Sequence, residues 1–389
     1  MIELKSTQLE LAIGHFLDKE NGLNDLLRMI LNNLMKQERS LFLEQENKKK
    51  NKGNGYRTGL VYGYGKQLEL SIPRDRLGAF KPVVYMLMKD QQARVKELCF
   101  ELYSKGLTTR DIGPVLKTIY GRAYKHSAIS KINKGFYKQM TLWRNRPLEE
   151  EFLVLYIDAI HIKVCRTRVS SEAFYVVMGL KPDYTREVIG IYSLPSESAA
   201  GWQFVLQNLK TRGLKKVDLI VSDGLKGLDD AILQEFKGVN HQKCTVHLIR
   251  NILKEIKPAH KKEVAQDFRE VLNPDEKDYN LAKAKQKLSE FCSKWGKHYN
   301  YCKKLKDKAD IDFYFTYLKY DYRIRRMIYT TNWIERLNKD FRKTIKIRNS
   351  MPNYEAVLTL LSSVAIDKNI NRYNYKIHNF RFQYEKNER

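Results

Sequence analysis

Three carboxylates set the chemistry open to this chain: Asp158, Asp223 and Glu335. Asp158 lies in the middle of Leu153–Lys163, LVLYIDAIHIK, which reads as a strand of mostly apolar residues. Aspartate is disfavoured inside strands, and a buried unpaired carboxylate is costly, so an acid there needs a partner. A bound metal ion is the commonest functional one. Asp223 closes a second apolar run in IVSDG, and Glu335 stands near the start of a helical pattern in NWIERLN. Mg²⁺ takes oxygen ligands and keeps several waters, so a few acids suffice to hold it. Two such ions about 3.5–4 Å apart can activate an attacking oxygen at a phosphodiester and stabilise the leaving one. In that arrangement Asp158 bridges both ions, while Asp223 and Glu335 hold one each. The nucleophile is then water or a DNA 3′-hydroxyl, not a side chain.

Two of the acids have a plainer reading beside this one. Asp223-Gly224 can be a turn, with Asp223 capping a helix that starts at Leu225. Glu335 follows Asn332 by three residues and can close a capping box. Asp158 has no such reading, because a mid-strand acid has no inexpensive structural role. In an open sheet ligands gather at strand ends, which suits Asp223.

Composition points to a polyanionic partner. Across 389 residues, 71 Lys plus Arg face 45 Asp plus Glu, a net charge of +26. A field of that sign concentrates nucleic acid. A Lys-rich host proteome would also give a basic chain, so charge alone does not decide. The five cysteines (Cys99, Cys165, Cys244, Cys292 and Cys302) are odd in number and scattered. That speaks against a disulfide framework and for a reducing cytoplasm. No apolar run reaches the ~18 residues of a membrane span, and the N-terminus does not read as a secretory signal.

Residues 1–47 carry Leu23, Leu26, Leu27, Ile30, Leu31 and Leu34 as one helical stripe, for core packing or dimerisation. Residues 48–57, KKKNKGNGYR, read as a basic linker whose Arg57 could touch phosphates. Leu60–Tyr64 and Gln67–Pro73 suggest a β-hairpin around Gly65-Lys66. Residues 94–136 read as a helix-turn-helix. Its first helix ends near Gly106, Thr108 or Thr109 caps the second, and Gly121 closes it. Ser127 caps a third helix with Lys131 and Lys134 outward. Pro114 sits awkwardly within the second helix.

From residue 152 the pattern changes. Phe152–Val164, Ala173–Leu180 and Glu187–Leu194 read as strands, followed by a helix Ala199–Arg212. A strand Val217–Ser222, a helix Leu225–Phe236 and a segment Cys244–His247 entering another helix complete the run. This is the order of an RNase H-like fold with a partly parallel sheet. Residues 255–327 lack strand alternation and read as an all-α insertion. The helix after Tyr329 carries Glu335, with a further amphipathic helix over Met351–Lys368 and a basic end over 369–389.

The motifs together resemble those of the Mutator-like transposases of bacterial insertion sequences. The matching stretches are YIDAIHIK (156–163), SDGLKG (222–227), CTVHLIRN (244–251) and YTTNWIERLN (329–338). NGYRTG (54–59), PRDRLGAF (73–80), GLTTRDI (106–112) and KWGKHY (294–299) add to them, so the resemblance covers nearly the whole chain. It implies an RNase H-like α/β catalytic core interrupted by an all-α insertion and preceded by a β-hairpin and helix-turn-helix region. The expected divisions are 1–93, 94–150, 151–254, 255–327 and 328–389. It implies that Asp158, Asp223 and Glu335 hold two Mg²⁺ ions, with Mn²⁺ able to substitute. It also marks the Cys244-x-x-His247 pair, which by itself is half a zinc site at most. Trp295 falls in the insertion, where an aromatic could stack on a flipped base or simply fill a core. Arg336, Lys339, Arg342 and Lys343 could contact phosphates or form a solvated face.

The function expected is strand cleavage and transfer at the terminal inverted repeats of an insertion sequence. The partners are double-stranded DNA and a second copy of the chain, in a bacterial cytoplasm at the nucleoid. A non-enzymatic helix-turn-helix regulator would explain the charge but leave Asp158 unexplained. An RNase H-like nuclease without strand transfer would leave the large N-terminal region without a purpose.

Overall fold

The computed structural model describes residues 14, 22–45, 51–62, 67–120, 124, 126–165, 169–194, 198–225, 227–348 and 351–385. Outside them fall most of the first 21 residues, 48–50 of the expected linker, the Gly65-Lys66 turn, Gly121 and the last residues of the basic end. The chain divides into two compact units, Met1–Gly135 and Phe136–Arg389.

In the first unit α1 (Gly22–Gln45) precedes the antiparallel strands β1 (Gly53–Tyr62) and β2 (Gln67–Asp75). Alternation along β2 turns Leu68, Leu70 and Ile72 inward. There they meet Val61 and Met35, with Leu27, Leu31, Val84 and Tyr85 packed around them. The apolar stripe of α1 is therefore divided. Leu27 and Leu31 face this core, whereas Leu23, Ile30, Leu34 and Leu41 are exposed. The linker expected up to residue 57 is corrected from Gly53 onward, since cross-strand pairing draws Gly53–Arg57 into β1.

Three helices follow: α2 (Val83–Ser104), α3 (Thr109–Tyr120) and α4 (His126–Arg144). α2 starts well before residue 94, so the division expected at 93/94 falls inside a helix. Gly106, at φ 101°, ends α2 in the left-handed region open to glycine. Thr108 and Asp111 then bond reciprocally, the Asp111 carboxylate accepting from the Thr108 N–H at 2.9 Å and hydroxyl at 2.6 Å. This fixes the start of α3. Pro114 lies within α3.

The second unit is built on a five-stranded mixed sheet of order β5-β4-β3-β6-β7. The strands are β3 (Glu151–Cys165), β4 (Val169–Leu180), β5 (Arg186–Ser193), β6 (Lys216–Ser222) and β7 (Asn240–Lys243). β3 is central, antiparallel to β4 and parallel to β6. Its odd residues Leu155 and Ile157 enter one core with Tyr175, Val177 and Ile220. α5 (Ala199–Thr211) covers that face with Trp202, Val205, Leu206 and Leu209. α6 (Leu228–Glu235) adds Leu228 and Ile232. The period of two sends Tyr156 and Asp158 to the opposite face.

β7 is the strand that hydrophobic patterning misses. NHQK is polar, yet His241, Gln242 and Lys243 are buried. Each finds partners: His241 meets the Ser222 hydroxyl at 2.9 Å, and Gln242 accepts from the Tyr317 N–H at 2.6 Å. The Lys243 ammonium donates to Asp229 and, at 2.9 Å, to Asp310.

α7 (Thr245–Lys254) leaves β7 directly. Residues 255–331 contain helices and turns and no strand, among them α8 (Lys261–Leu272), α9 (Leu281–Trp295) and α10 (Tyr322–Ile328). α11 (Asn332–Lys346) then returns to the sheet, where Trp333 packs against Tyr156 with ring centroids 5.2 Å apart. α12 (Tyr354–Asn371) is tied to α11 by Lys368–Asp340 at 2.8 Å and to β5 through Asn369, which accepts from the Val188 N–H. No helix among the described residues is long and apolar enough to cross a membrane.

Candidate active site

Asp158 sits opposite Val176 on β4, on the face of the sheet that α11 covers, and is 6% exposed. One carboxylate oxygen accepts from the Ala159 N–H at 2.8 Å. The other accepts from the Asn338 side-chain amide at 2.6 Å. Burial pushes its carboxyl above the usual carboxylate range. The Ala159 and Asn338 bonds and His247 oppose that shift, and the Glu335 charge adds to it. A desolvated acid held by two donors is a group that a cation would relieve.

Asp223 follows Ser222, the last residue of β6, and Ser222 stands in register with Ile157. The half-buried Asp223 therefore leaves the sheet beside the position of Asp158. Its capping reading does not survive: α6 starts at Leu228, after Gly227, and has no side-chain cap. Gly227, at φ 78°, lies so close to Ala199 that a Cβ would stand 2.7 Å from that backbone nitrogen. A side chain at Gly227 would therefore have to displace Ala199.

Glu335 lies in the first turn of α11, whose cap residue is Thr331. The capping box expected from Asn332 is not formed. Instead the Thr331 hydroxyl donates to Glu335 Oε1 at 3.3 Å. His247 Nδ1 lies 3.8 Å from that oxygen, and the Arg250 guanidinium lies 3.5 Å from Oε2. Glu335 and Asn338 share one helix a turn apart, so the helix that carries the third acid also carries the donor to the first.

The tightest group of candidate ligands is not the three acids. Among the described residues, Cys244, His247 and Glu335 offer one ligand atom each, all within 4.8 Å of one another. The Cys-x-x-His spacing puts both side chains on one face at the start of α7. The segment before α11 locks it there. The Thr331 N–H donates to Cys244 Sγ at 3.4 Å, and Thr245 donates through its N–H and hydroxyl to the Tyr329 carbonyl, each at 3.0 Å. Sequence reasoning singled out the Cys–His pair but missed Glu335 as its third member, because 88 positions separate His247 from Glu335. It also missed Asn338, Thr331 and Arg250. The signal for Asn338 was present as an amide three residues after the acid, inside an otherwise amphipathic helix.

The remaining candidates fall elsewhere. Trp295 is 3% exposed within α9 and donates its indole N–H to Asp267 at 2.8 Å. That is the placement of a core tryptophan. Arg57 is exposed on β1, its guanidinium 5.4 Å from the Tyr85 ring centroid. Lys131 and Lys134 are exposed on α4. Arg336, Lys339, Arg342 and Lys343 form the exposed side of α11, opposite the buried Ile334, Leu337 and Phe341.

The second unit is thus a mixed α/β fold with a buried acid at its centre, covered by a helix that brings a second acid. The chain belongs to the Mutator family of transposases, whose model matches residues 2–375. It is 31% identical over 374 residues to the transposase of insertion sequence element IS905 from Lactococcus lactis, covering 93% of this chain and 94% of that one. It is 29% identical to the transposase of IS256 in transposon Tn4001 from Staphylococcus aureus, covering 94% of each. Among solved structures, the Drosophila P element transposase strand transfer complex is similar at 11% identity and a TM-score of 0.29, over 74% of this chain and 83% of that one. The protein is thus a transposase, a DNA-recombining enzyme of a mobile element.

Proposed function

We propose that the chain cuts DNA at the terminal inverted repeats of its own insertion sequence and joins the freed ends to target DNA, using Asp158, Asp223 and Glu335 at an RNase H-like core. The observation that carries this reading is Asp158: a buried mid-strand carboxylate whose charge is costly without a cation, beside a strand that ends in Asp223 and electrostatically coupled to Glu335. The donors in this trio are carboxylate oxygens, which suits Mg²⁺ and allows Mn²⁺. When bound, such cations supply Lewis acidity to the scissile phosphate.

The chain's own residues do the positioning. Asn338 orients Asp158, and Thr331 orients Glu335. In the first step a water oxygen bonds to phosphorus, and the bond to the 3′-oxygen of the element end breaks. In the second step that 3′-hydroxyl bonds to a target phosphorus, and the target's own 3′-oxygen leaves. The helices α2–α4, with Lys131 and Lys134 exposed, read the ends. Arg57 and the cations of α11 contact phosphates. Two ends must be joined together, so the working form is a homodimer, acting at the nucleoid.

The test is strand transfer with DNA bearing the element's own ends, in Mg²⁺ or Mn²⁺. Wild type runs beside Asp158→Asn, Asp223→Asn and Glu335→Gln. Joined product from wild type alone is the expected result. End binding by all four proteins with joining by none would move the function to a DNA-binding regulator. Cleavage without joining would make it a nuclease.

A further inference from the structure

We propose that Cys244, His247 and Glu335 form a site for a thiophilic divalent cation, Zn²⁺ in the first instance, distinct from the all-carboxylate trio but sharing Glu335 with it. Binding stands on the geometry alone; its consequence for activity rests on the function proposed above.

Three observations carry the site. First, the donor atoms of the three residues lie within 4.8 Å of one another. Zinc–ligand lengths of about 2.0–2.3 Å in a tetrahedron put neighbouring donors roughly 3.3–3.8 Å apart. The 3.8 Å between His247 Nδ1 and Glu335 Oε1 is therefore too long for a hydrogen bond and near the span of a shared cation. Second, His247 Nδ1 is buried and makes no hydrogen bond. A buried imidazole nitrogen without a partner is costly unless a ligand completes it. Third, the donors are held before any ion arrives. Thr331 donates to both Cys244 Sγ and Glu335 Oε1, and Thr245 anchors the start of α7 on Tyr329. Such supporting bonds orient metal ligands.

The donor types choose the ion. A thiolate, an imidazole and a carboxylate form a three-ligand set with a fourth position open to water, which suits Zn²⁺ and not Mg²⁺. The Cys244 thiol is pushed up chiefly by burial, so zinc must displace its proton on binding.

Arg250 is the competitor. Its half-exposed guanidinium lies 3.3 Å from His247 Nε2 and 3.5 Å from Glu335 Oε2. Once Nδ1 holds a metal, Nε2 carries the ring proton and faces a second donor, so Arg250 must swing out. Zinc and Arg250 are thus alternative cations for one carboxylate. Glu335 bound to zinc is also withdrawn from the acid trio, so zinc opposes strand transfer.

The experiment uses the metal-stripped full chain titrated with Co²⁺, read by the near-ultraviolet thiolate-to-cobalt absorption band, with Zn²⁺ in competition. One thiolate-coordinated ion per chain is expected in wild type. Cys244→Ser should lose the band, and His247→Ala should weaken binding at least tenfold. Arg250→Gln should tighten it severalfold, and Asp158→Asn should retain it. Circular dichroism and melting establish that each variant is folded. No band in wild type, or an unchanged band in Cys244→Ser, overturns the site, as does weaker binding in folded Arg250→Gln. In strand-transfer assays, added Zn²⁺ should inhibit wild type and inhibit Cys244→Ser less, each relative to its own zinc-free rate. Cobalt and zinc binding without inhibition would overturn the sharing of Glu335 and leave the site standing. Failure of strand transfer in every metal, with the cobalt band intact, would instead count against the proposed function.

Discussion

Replacing Asn338 with leucine tests the site most sharply, because the two side chains share one branched skeleton and the amide's hydrogen bonding is lost. Asn338 is 1% exposed and donates to Asp158 Oδ2 at 2.6 Å, inside a region without competing solvent. A hydrogen bond to a charged group contributes roughly 1.5–3 kcal/mol. At 1.36 kcal/mol per factor of ten, that is about 10- to 100-fold in any equilibrium that needs ionised Asp158. Loss of a residue that orients a metal ligand has the same range, about 10- to 100-fold in metal affinity. Burial already holds the Asp158 carboxyl above its usual range, and Asn338 works against that. Removing the donor raises it further, so the acid end of the pH–activity profile should fail first and alkali should restore it. The assay is strand transfer at fixed DNA, with Mg²⁺ titrated from mildly acidic to mildly alkaline pH. The expected result is a higher Mg²⁺ requirement and an activity profile moved toward alkali. A folded Asn338→Leu protein with the wild-type metal requirement and pH profile would refute the role given to this pair.

Three further substitutions probe other parts of the second unit. Because the folded carboxyl of Asp158 is raised, its ionised form destabilises the metal-free fold; Asp158→Asn should raise the melting temperature at neutral pH, with the gain shrinking as pH falls toward the ordinary carboxylate range. A lower melting temperature at neutral pH would contradict this. Lys243→Met should lower stability by about 3 kcal/mol in urea unfolding, the lower end for breaking a buried pair, because Asp229 and Asp310 keep some access to water. Trp295→Phe should lower stability by roughly 1.5–3 kcal/mol through the lost bond to the Asp267 carboxylate. If it leaves melting unchanged and abolishes strand transfer, the indole acts on DNA instead of the core.

What was legible in the sequence followed the strength of the pattern. LVLYIDAIHIK carries enough apolar residues to define a strand, and its single acid stands out against them. The strands and helices over 152–236 lie within a few residues of expectation for the same reason. β7 was illegible, because NHQK has no hydrophobic signal and is held by Ser222, Asp229, Asp310 and Tyr317, partners scattered through the chain. Gly53–Arg57 reads as linker because lysine, asparagine and glycine dominate its surroundings, while pairing with β2 decides its state. The joining of Cys244 and His247 to Glu335 depends on how residues 255–331 fold back, which no local pattern encodes. Capping was readable at Thr108, which precedes α3, but misleading at Ser127, which lies inside α4, and at Asn332 and Glu335, where tertiary contacts took over.

The 180 positions between Asp158 and Asn338 also set an order in time. At a synthesis rate of about 5–20 residues per second, roughly 10–35 s pass between the making of the first acid and the making of its amide partner. During that interval the β3–β4–β5 meander can pair, since its contacts are local, but the centre lacks α11 and with it Glu335. A nascent or prematurely ended chain therefore carries the complete first unit and two acids without the third. On the proposed reading such a product would hold the element's ends and leave them uncut. On that reading chemical competence arrives only with α11, so the ribosome's progress is itself a safeguard against cutting by an unfinished enzyme.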